Sequence, residues 1–596
     1  MTDRYKVTLL DKLKMITIFE GDKAKSASTL LIEIGSLFEL FHDENGECYA
    51  AIDNEKQKLV YRLGSNDFDI YLTQYYFALT GKGVRDNSLQ EALNTLKAKA
   101  KFHGEKKPVF RRISGNHEII YIDLANERGE VVEITAEGWR IIHDAPIHFL
   151  RSRYAEVLPR PLAGKGVQPL WKYLNVAEEN KVLIWGWLLG CFRPNAPYPL
   201  LLLYGTQGSG KSSATKILKR IIDPNEGEST CTPKDERDLI AYANGHHLLC
   251  FDNNSYIDNE LSGHLCRLAS GSSISFRQLY TNADEVVYKL ARPMLINGIS
   301  NNIHRGDLLE RTMTVKLQSV SDKARRTETE IFSAFENDLP FILGGLCDSV
   351  VSALKNFDSV KTNSLPRMAD FAKWVIAAEY DSTEFHPGDF IQAYQRNLQE
   401  NSADNLMEDP VAFAIFQLIA QQSMRGFKKA VYTATELLNQ MNRVEGITEA
   451  TKRTGLWPKE VRSLGRSISR LETQFTQKGI VIHKQPRKNT ERPIEISWEN
   501  FSENDVTVVT HVTNSSNLLN NNDFHGDKTS DKEKIMLVTD KHSLNQGINE
   551  NRDKSDKKIR KPAHQYDEES LSEPYSLEGG FKARRIKNTD MEVIAI

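Results

Sequence analysis

The chain has 596 residues, 40% hydrophobic and 26% charged, with 77 Lys and Arg against 80 Asp and Glu, a formal net charge of −3. That is the composition of globular material with several cores, and it excludes a whole-chain basic coat while leaving local basic surfaces open. Six cysteines without a C-x-x-C pair exclude a disulfide scaffold and a zinc ribbon, and no apolar run is long enough for a signal peptide or a membrane span, so a reducing cytoplasm and no membrane partner are expected.

In chain order, residues 1–160 read as an α+β N-terminal domain. Helical patterning covers 68–102, and EIIYI, EVVEIT and WRII alternate as an antiparallel meander over 118–142. Residues 161–198 form a helical lead-in with the apolar helix KVLIWGWLLGCF, stopped by prolines 194, 197 and 199. Residues 199–320 alternate short apolar strands with helices, the pattern of a parallel α/β sheet. Residues 321–408 are a helical segment. Residues 409–500 combine helices with a closing hairpin, and 501–596 are Asn- and charge-rich and aperiodic, expected as a disordered tail.

The most specific signal is Gly205-Thr206-Gln207-Gly208-Ser209-Gly210-Lys211-Ser212-Ser213. It follows the strand PLLLLY and opens the helix SSATKILKRII, the context that a phosphate-binding loop requires. Its glycines let backbone N–H groups approach phosphate oxygens, and the helix N-terminus adds a favourable dipole. Lys211 is expected on the β- and γ-phosphates of ATP and Ser212 on Mg²⁺. Forty residues on, LLCF ends at Asp252, placed as the second metal carboxylate at the carboxyl end of a strand. The next residue is Asn253, which cannot accept a proton at neutral pH. Asp258, Glu260 and Glu236 are alternative sources of a second carboxylate. A third strand ends at Asn297, suited to bind the attacking water or the γ-phosphate. Arg311 precedes a fourth strand, suited to reach a neighbouring subunit's nucleotide.

The stretch LCRLASGSSISFRQLY, then ARPMLINGIS, then GDLLERTMTV, resembles the superfamily 3 helicases of phage and mobile-element replication, over about 199–320. The flanks EVVEITAEGWRII, IIDP and LPRMADFAKW resemble the ATP-binding proteins of prophages and integrative elements. The resemblance implies an α/β P-loop core of the AAA+ class and a homo-oligomeric ring, expected to be a hexamer. It implies catalytic roles for Lys211, Asp252, Asn297 and Arg311, and channel-facing roles on DNA for Arg277 and Lys289. Asn253 and Ser272 depart from the family pattern. Many relatives fuse a primase, but the acid that ends the meander strand IYID, Asp123, is a lone one, so polymerising activity is not expected of residues 1–160. Docking a separate primase, binding DNA and bracing the ring stay open for that domain.

Residues 427–498 carry 14 Lys and Arg against 7 Asp and Glu. Within them Pro458–Lys478 reads as one helix, with Val461, Leu464, Ile468, Leu471 and Phe475 on a buried face. Lys459, Arg462, Arg466 and Arg470 form a basic stripe. A basic helix followed by a basic hairpin suggests a winged-helix-like DNA-binding domain. The expected activity is ATP-dependent DNA unwinding or translocation. The alternatives are an ATP-dependent DNA-binding switch or loader, and a regulatory ATPase in element–host conflict.

Overall fold

Leu200–Tyr204 is a run of leucines because neither of its faces meets water. It lies inside a four-stranded parallel sheet, ordered Leu249–Phe251, Met294–Gly298, Leu200–Tyr204, Thr312–Lys316. Strands covered on both faces read as continuous apolar runs. Leu201 and Leu203 enter one core, Leu200 and Leu202 another. The first core takes in helices Glu178–Cys191, Lys211–Ile222 and Glu328–Asn356. The second is closed by helices Glu236–Gly245 and Asn259–Ser270.

This computed structural model describes residues 9–53, 57–143, 145–195, 197–227, 230–233, 235–253, 257–277, 285–301, 303, 305–320, 325–362, 365–453, 456–485 and 493–499, with short strands beyond. Two compact units divide at 511/512. No described helix is long and apolar enough to cross a membrane.

Residues 1–160 do not share one core. Helices Ala27–Gly35, Asn66–Thr80 and Asp86–Phe102 pack together with strands from Glu39–His42, Cys48–Asp53 and Lys58–Arg62. The helical stretch expected over 68–102 is two helices, divided at Gly81, whose φ of 67° closes the first in the left-handed conformation. The meander has four strands, Ile113–Gly115, Ile120–Asp123, Val131–Thr135 and Gly138–Ile142. Its apolar face, Ile120, Ile122, Val132 and Ile134, belongs to the central core. Trp139 donates from Nε1 to Asp348 at 2.8 Å, in helix Glu328–Asn356. A boundary at 160 therefore cuts through a core. Alternation identifies the strands but not the helix, some 200 residues later, that covers them.

The helical lead-in and the helical segment meet in that same core. Helix Glu178–Cys191 is buried from Val182 to Cys191, as a helix apolar on all sides must be. Trp187 donates to the Pro199 carbonyl at 3.1 Å, and Trp374, in helix Ala369–Glu379, to the Leu189 carbonyl at 3.1 Å.

After Asp409 the chain builds a separate core. The order is helix Pro410–Ser423, strand Lys429–Tyr432, helix Ala434–Met441, short helix Glu449–Arg453, helix Val461–Gln477, then strands Ile480–Lys484 and Ile494–Trp498. The last strand pairs antiparallel with both others. The basic turn at 486–492 lies outside the described residues.

The expected disordered tail, 501–596, also lies outside them, except for strands Met536–Asp540, Tyr575–Ser576, Lys582–Arg585 and Met591–Ala595. These form an antiparallel sheet of their own. Over those strands the expectation is corrected. The β-branched runs MLVTD and MEVIA support pairing, and the polar flanks obscured them.

Candidate phosphate-loop site and basic faces

The loop after Leu200–Tyr204 turns on glycines whose φ values suit no other residue: Gly205 at 158°, Gly208 at 80° and Gly210 at 83°. Gly210 occupies the N-cap of helix Lys211–Ile222. A Cβ at Gly205 would lie 2.9 Å from the Leu317 carbonyl and 2.9 Å from Ser209 Oγ. Lys211 bends back over the loop and donates from Nζ to the carbonyls of Gly205 and Thr206, both at 2.9 Å. Thr206 Oγ1 lies 3.3 Å from Ser319 Oγ. Ser209 Oγ is buried without a hydrogen-bond partner, an orphaned polar atom inside the loop. Gln207 and Ser212 are exposed and Ser213 half-buried. The loop thus offers free N–H groups, a helix N-terminus and one ammonium group to an anion.

The sheet brings the other expected residues to the same edge. Leu202 pairs with Ile296 and Ile296 with Phe251, so Asp252 and Asn297 lie level with Leu203 at the carboxyl ends of the strands. Asp252 is partly exposed, and its backbone N–H is held by the Thr230 carbonyl at 3.1 Å. Asn253 leaves the strand at φ 52°, a left-handed conformation that Asn tolerates better than most residues. This geometry gives a physical reason for Asn where a second acid was expected.

Asn297 departs from expectation. It is buried, its Oδ1 accepts from the Asn253 backbone N–H at 2.8 Å, and its Nδ2 donates to Thr215 Oγ1 at 2.9 Å. It ties the exit of the Asp252 strand to the loop helix, as a positioning residue. A strand-end Asn looks the same in sequence whether it faces water or a neighbouring helix.

Arg311 precedes the strand Thr312–Lys316, and its backbone carbonyl accepts from Leu200. That is the amino end of the sheet, opposite the loop. The two nearby carboxylates are taken. Asp307 binds Arg305 at 2.9 and 2.5 Å, and Glu310 binds Arg367. Among the described residues Arg311 donates to the Asp307 carbonyl at 2.5 Å and meets no carboxylate. A local salt bridge therefore does not account for it.

Two features were not singled out in the sequence. Arg325 Nη2 comes within 3.5 Å of where a Cβ on Gly208 would stand, so a guanidinium lies over the loop. No motif marks it, since it precedes helix Glu328–Asn356 by three residues. Asp223, in IIDP, ends the loop helix. It accepts from Arg112 at 3.2 Å and from the backbone N–H groups of His247 and Leu248 at 2.8 and 3.2 Å. Burial raises its carboxyl, and Arg112, His247 and those N–H groups overcome this and hold it below the usual range. The motif joins meander, loop helix and sheet.

Among the described residues no group of three or more His, Cys, Asp or Glu side chains could hold a metal by itself. A Mg²⁺ that leans on nucleotide phosphates and waters needs only one or two protein oxygens. Ser212 and Asp252 fit that demand.

Arg277 and Lys289 end the two antiparallel strands Ser273–Arg277 and Glu285–Lys289, where Ser273 pairs with Lys289 and Arg277 with Glu285. Arg277 thus stands beside the turn and Lys289 at the base.

In the C-terminal unit the helix starts at Val461, with Glu460 and Ser463 forming the capping box. Pro458 and Lys459 precede it. The expected helix over Pro458–Lys478 is corrected at its start, because the cap pair at 460 and 463 outweighs proline's preference for a first turn. Val461 is 40% exposed, whereas Leu464, Ile468, Leu471 and Phe475 are buried as expected. Lys459, Arg462 and Arg466 are exposed. Arg470 is not part of that face. It binds the buried Asp409 at 2.5 Å, and Asp409 also caps helix Pro410–Ser423 through the N–H groups of Val411 and Ala412. The partner lies 61 residues away, beyond any helical periodicity.

The comparisons with known proteins place the chain among replication proteins of mobile elements. Residues 167–404 match the family described as the actinomycete integrative conjugative element replication protein, and residues 411–510 match the AICE RepA C-terminal domain. No curated protein matches the chain. Among solved structures, an A-form apo structure of the NrS-1 C-terminal region (305–718) aligns with 79% of this chain and 98% of its own, at 14% identity and a TM-score of 0.35. Another A-form apo structure of that region aligns with 80% of this chain and 100% of its own, at 13% identity and a TM-score of 0.36.

Proposed function

We propose that this chain is an ATP-dependent DNA translocase or helicase of the superfamily 3 type, with a P-loop core of the AAA+ class and a winged-helix-like C-terminal domain, acting in mobile-element replication. The observation that carries the reading is the glycine loop on a helix N-terminus, with Lys211 folded over it and Asp252 on the same sheet edge. Gly205 to Ser213 would wrap the phosphates, and Lys211 would move from the loop carbonyls to the β- and γ-oxygens. Mg²⁺ held by Ser212 and Asp252 would supply Lewis-acid neutralisation of the phosphate charge. Asn297 would keep the Asp252 strand and the loop helix in register. Arg325 would add positive charge from the same subunit and Arg311 from the next one around a ring. Arg277 and Lys289 on the hairpin, and Lys459, Arg462 and Arg466 on the C-terminal unit, would meet DNA phosphates.

The test is ATP-driven displacement of a labelled strand by the full chain, together with particle images in the presence of ATP and single-stranded DNA. Displacement from six-fold rings is expected. Slow ATP turnover without displacement would favour the second reading, an ATP-dependent DNA-binding switch or loader. Asn253 favours that alternative, because it leaves Asp252 without a second acid beside it.

A further inference from the structure

Outside the nucleotide loop, the N-terminal part holds a groove of about 560 Å³, lined by strand Lys58–Arg62, the start of helix Asn66–Thr80, Arg111, segment 149–153 and Gly245. Its charged lining is Lys58, Arg62, Arg111, Arg151 and Arg153 against Asp67. Three of these cations are already matched. Lys58 binds Glu39, Arg62 binds Glu47, and Arg151 binds Asp123 through both oxygens. Arg111 and Arg153 are different. Among the described residues no carboxylate pairs with either. Arg111 donates to the Leu150 carbonyl at 3.0 Å, and Arg153 bonds to the Tyr154 hydroxyl.

The wall behind Arg111 deepens the imbalance. Arg292, desolvated by burial, whose charge Arg111 feels, is bonded to the carbonyls of Ala243 and His246 at 2.9 and 2.8 Å. Carbonyls satisfy the N–H groups of these cations without cancelling their charge. Asp223, the nearby carboxylate, is occupied by Arg112. Burial, then the Arg292 charge, push the Arg111 guanidinium down to about 10. Cations gathered in a low-dielectric wall without matching anions are costly in isolation, and they focus positive potential into the space they border.

The groove also has stacking surface. Tyr61 lines it half-buried, at the edge of an aromatic cluster in which its ring lies 5.3 Å from that of Tyr71. Phe149 contributes to the lining, and Ile70 stands 60% exposed at the rim. Cations interleaved with aromatic and apolar side chains suit a polynucleotide strand, whose bases stack while its phosphates pair.

We propose that this groove binds the phosphate backbone of a single-stranded nucleic acid, with Arg111 and Arg153 as its phosphate contacts and Tyr61 as a stacking surface. It is a site apart from the hairpin and from the C-terminal basic face, and it rests on the DNA-translocase reading only for the choice of DNA as probe.

The test uses the full chain carrying Lys211→Ala, so that ATP chemistry plays no part and failure of the ATPase reading leaves the result interpretable. Binding of a fluorescent oligo(dT) is followed by anisotropy across a salt series. Arg153→Glu, on an exposed side chain, is expected to weaken binding about tenfold and to lower the slope of log K against log salt by about one. Arg111→Gln keeps a donor for the Leu150 carbonyl and is expected to act in the same direction. Should Arg111→Gln melt early, Arg153→Glu decides alone. Unchanged affinity and slope in Arg153→Glu would overturn the proposal. So would competition by inorganic phosphate as effective as that by unlabelled oligo(dT) at equal phosphate, which would make the groove a free-anion site.

Discussion

The Gly205–Ser213 loop and the C-terminal basic helix are both read from residue patterns, one contiguous and one periodic, and the structure treats them differently. In the loop, residues 205–213 keep the expected arrangement where they stand, because it consists of consecutive backbone groups at a helix N-terminus and one lysine folded over them. On helix Val461–Gln477 the signal is a periodic stripe of side chains. There Arg462 and Arg466 are exposed while Arg470, at the same helical spacing, is held by Asp409. A contiguous backbone motif carries its own geometry. A side-chain stripe takes its meaning from what the rest of the chain packs against it.

The comparison is broken most directly at Lys211. Lys211→Ala is expected to cut ATP hydrolysis by roughly 10²–10³-fold, the usual scale for losing one oriented charge-stabilising donor. The melting temperature should hold, since the bonds lost are to two loop carbonyls. Turnover at the wild-type rate in steady-state phosphate release would end the loop's claim to be self-contained.

Arg470 gives the second-largest effect, in stability. Asp409 retains 2% side-chain exposure and Arg470 27%. Removing the arginine leaves a buried carboxylate without its cation. A fully buried pair costs about 3–5 kcal/mol to break in this way, and the exposure of Arg470 reduces the expected loss from Arg470→Ala to about 2–3 kcal/mol. Urea unfolding of the full chain, followed at Trp457 and Trp498 of that unit's core, measures it. A loss under about 0.5 kcal/mol would return Arg470 to the exposed stripe.

These two cases indicate how far the sequence could be read. The strands of the central sheet were legible because burial on both faces leaves no polar position to obscure them. The loop was legible because glycine, lysine and serine at fixed spacing have few other uses. The tie that Asn297 makes was not legible because its partners, Asn253 and Thr215, come from two other elements. Arg325 left no trace, since its nearness to Gly208 is made by a helix packing back on the core. The meander was visible as alternation, but its covering helix was not. Long-range pairing has no periodicity to betray it.

The base of the loop helix sharpens the comparison through pH. Burial pushes His247 down to about 4, against the opposing pull of Asp223, and its Nε2 lies 2.9 Å from the Cys191 carbonyl. The native state keeps this imidazole neutral, whereas the unfolded chain takes up a proton below its ordinary value of 6.5. Stability is therefore intact above about pH 6.5 and lost as pH falls toward 4. Between pH 7 and 5 His247 alone should account for about 2 kcal/mol. Asp223, held low, adds loss of the same sign at still lower pH. His247→Gln keeps a donor for the carbonyl and should remove that share of the loss between pH 7 and 5, leaving the share of neighbouring His246, which burial also pushes down to about 4. A pH dependence identical to wild type in denaturant titrations would remove His247 from the account.

The smallest expected effect separates the two arginines that sequence cannot distinguish. Arg466 is exposed one turn before Arg470 on the same helix. Arg466→Ala should leave stability within about 0.5 kcal/mol of wild type, as for surface substitutions without a structural partner. Its effect belongs in binding. One lost phosphate contact should lower the salt slope of DNA affinity by about one and weaken binding alike across sequences, because a phosphate contact reads no base. The converse pattern, lost stability with unchanged salt slope, would make Arg466 a packing residue like Arg470. In that case the basic stripe would mark how the C-terminal unit folds, and the DNA contact would have to be sought on the hairpin or in the N-terminal groove.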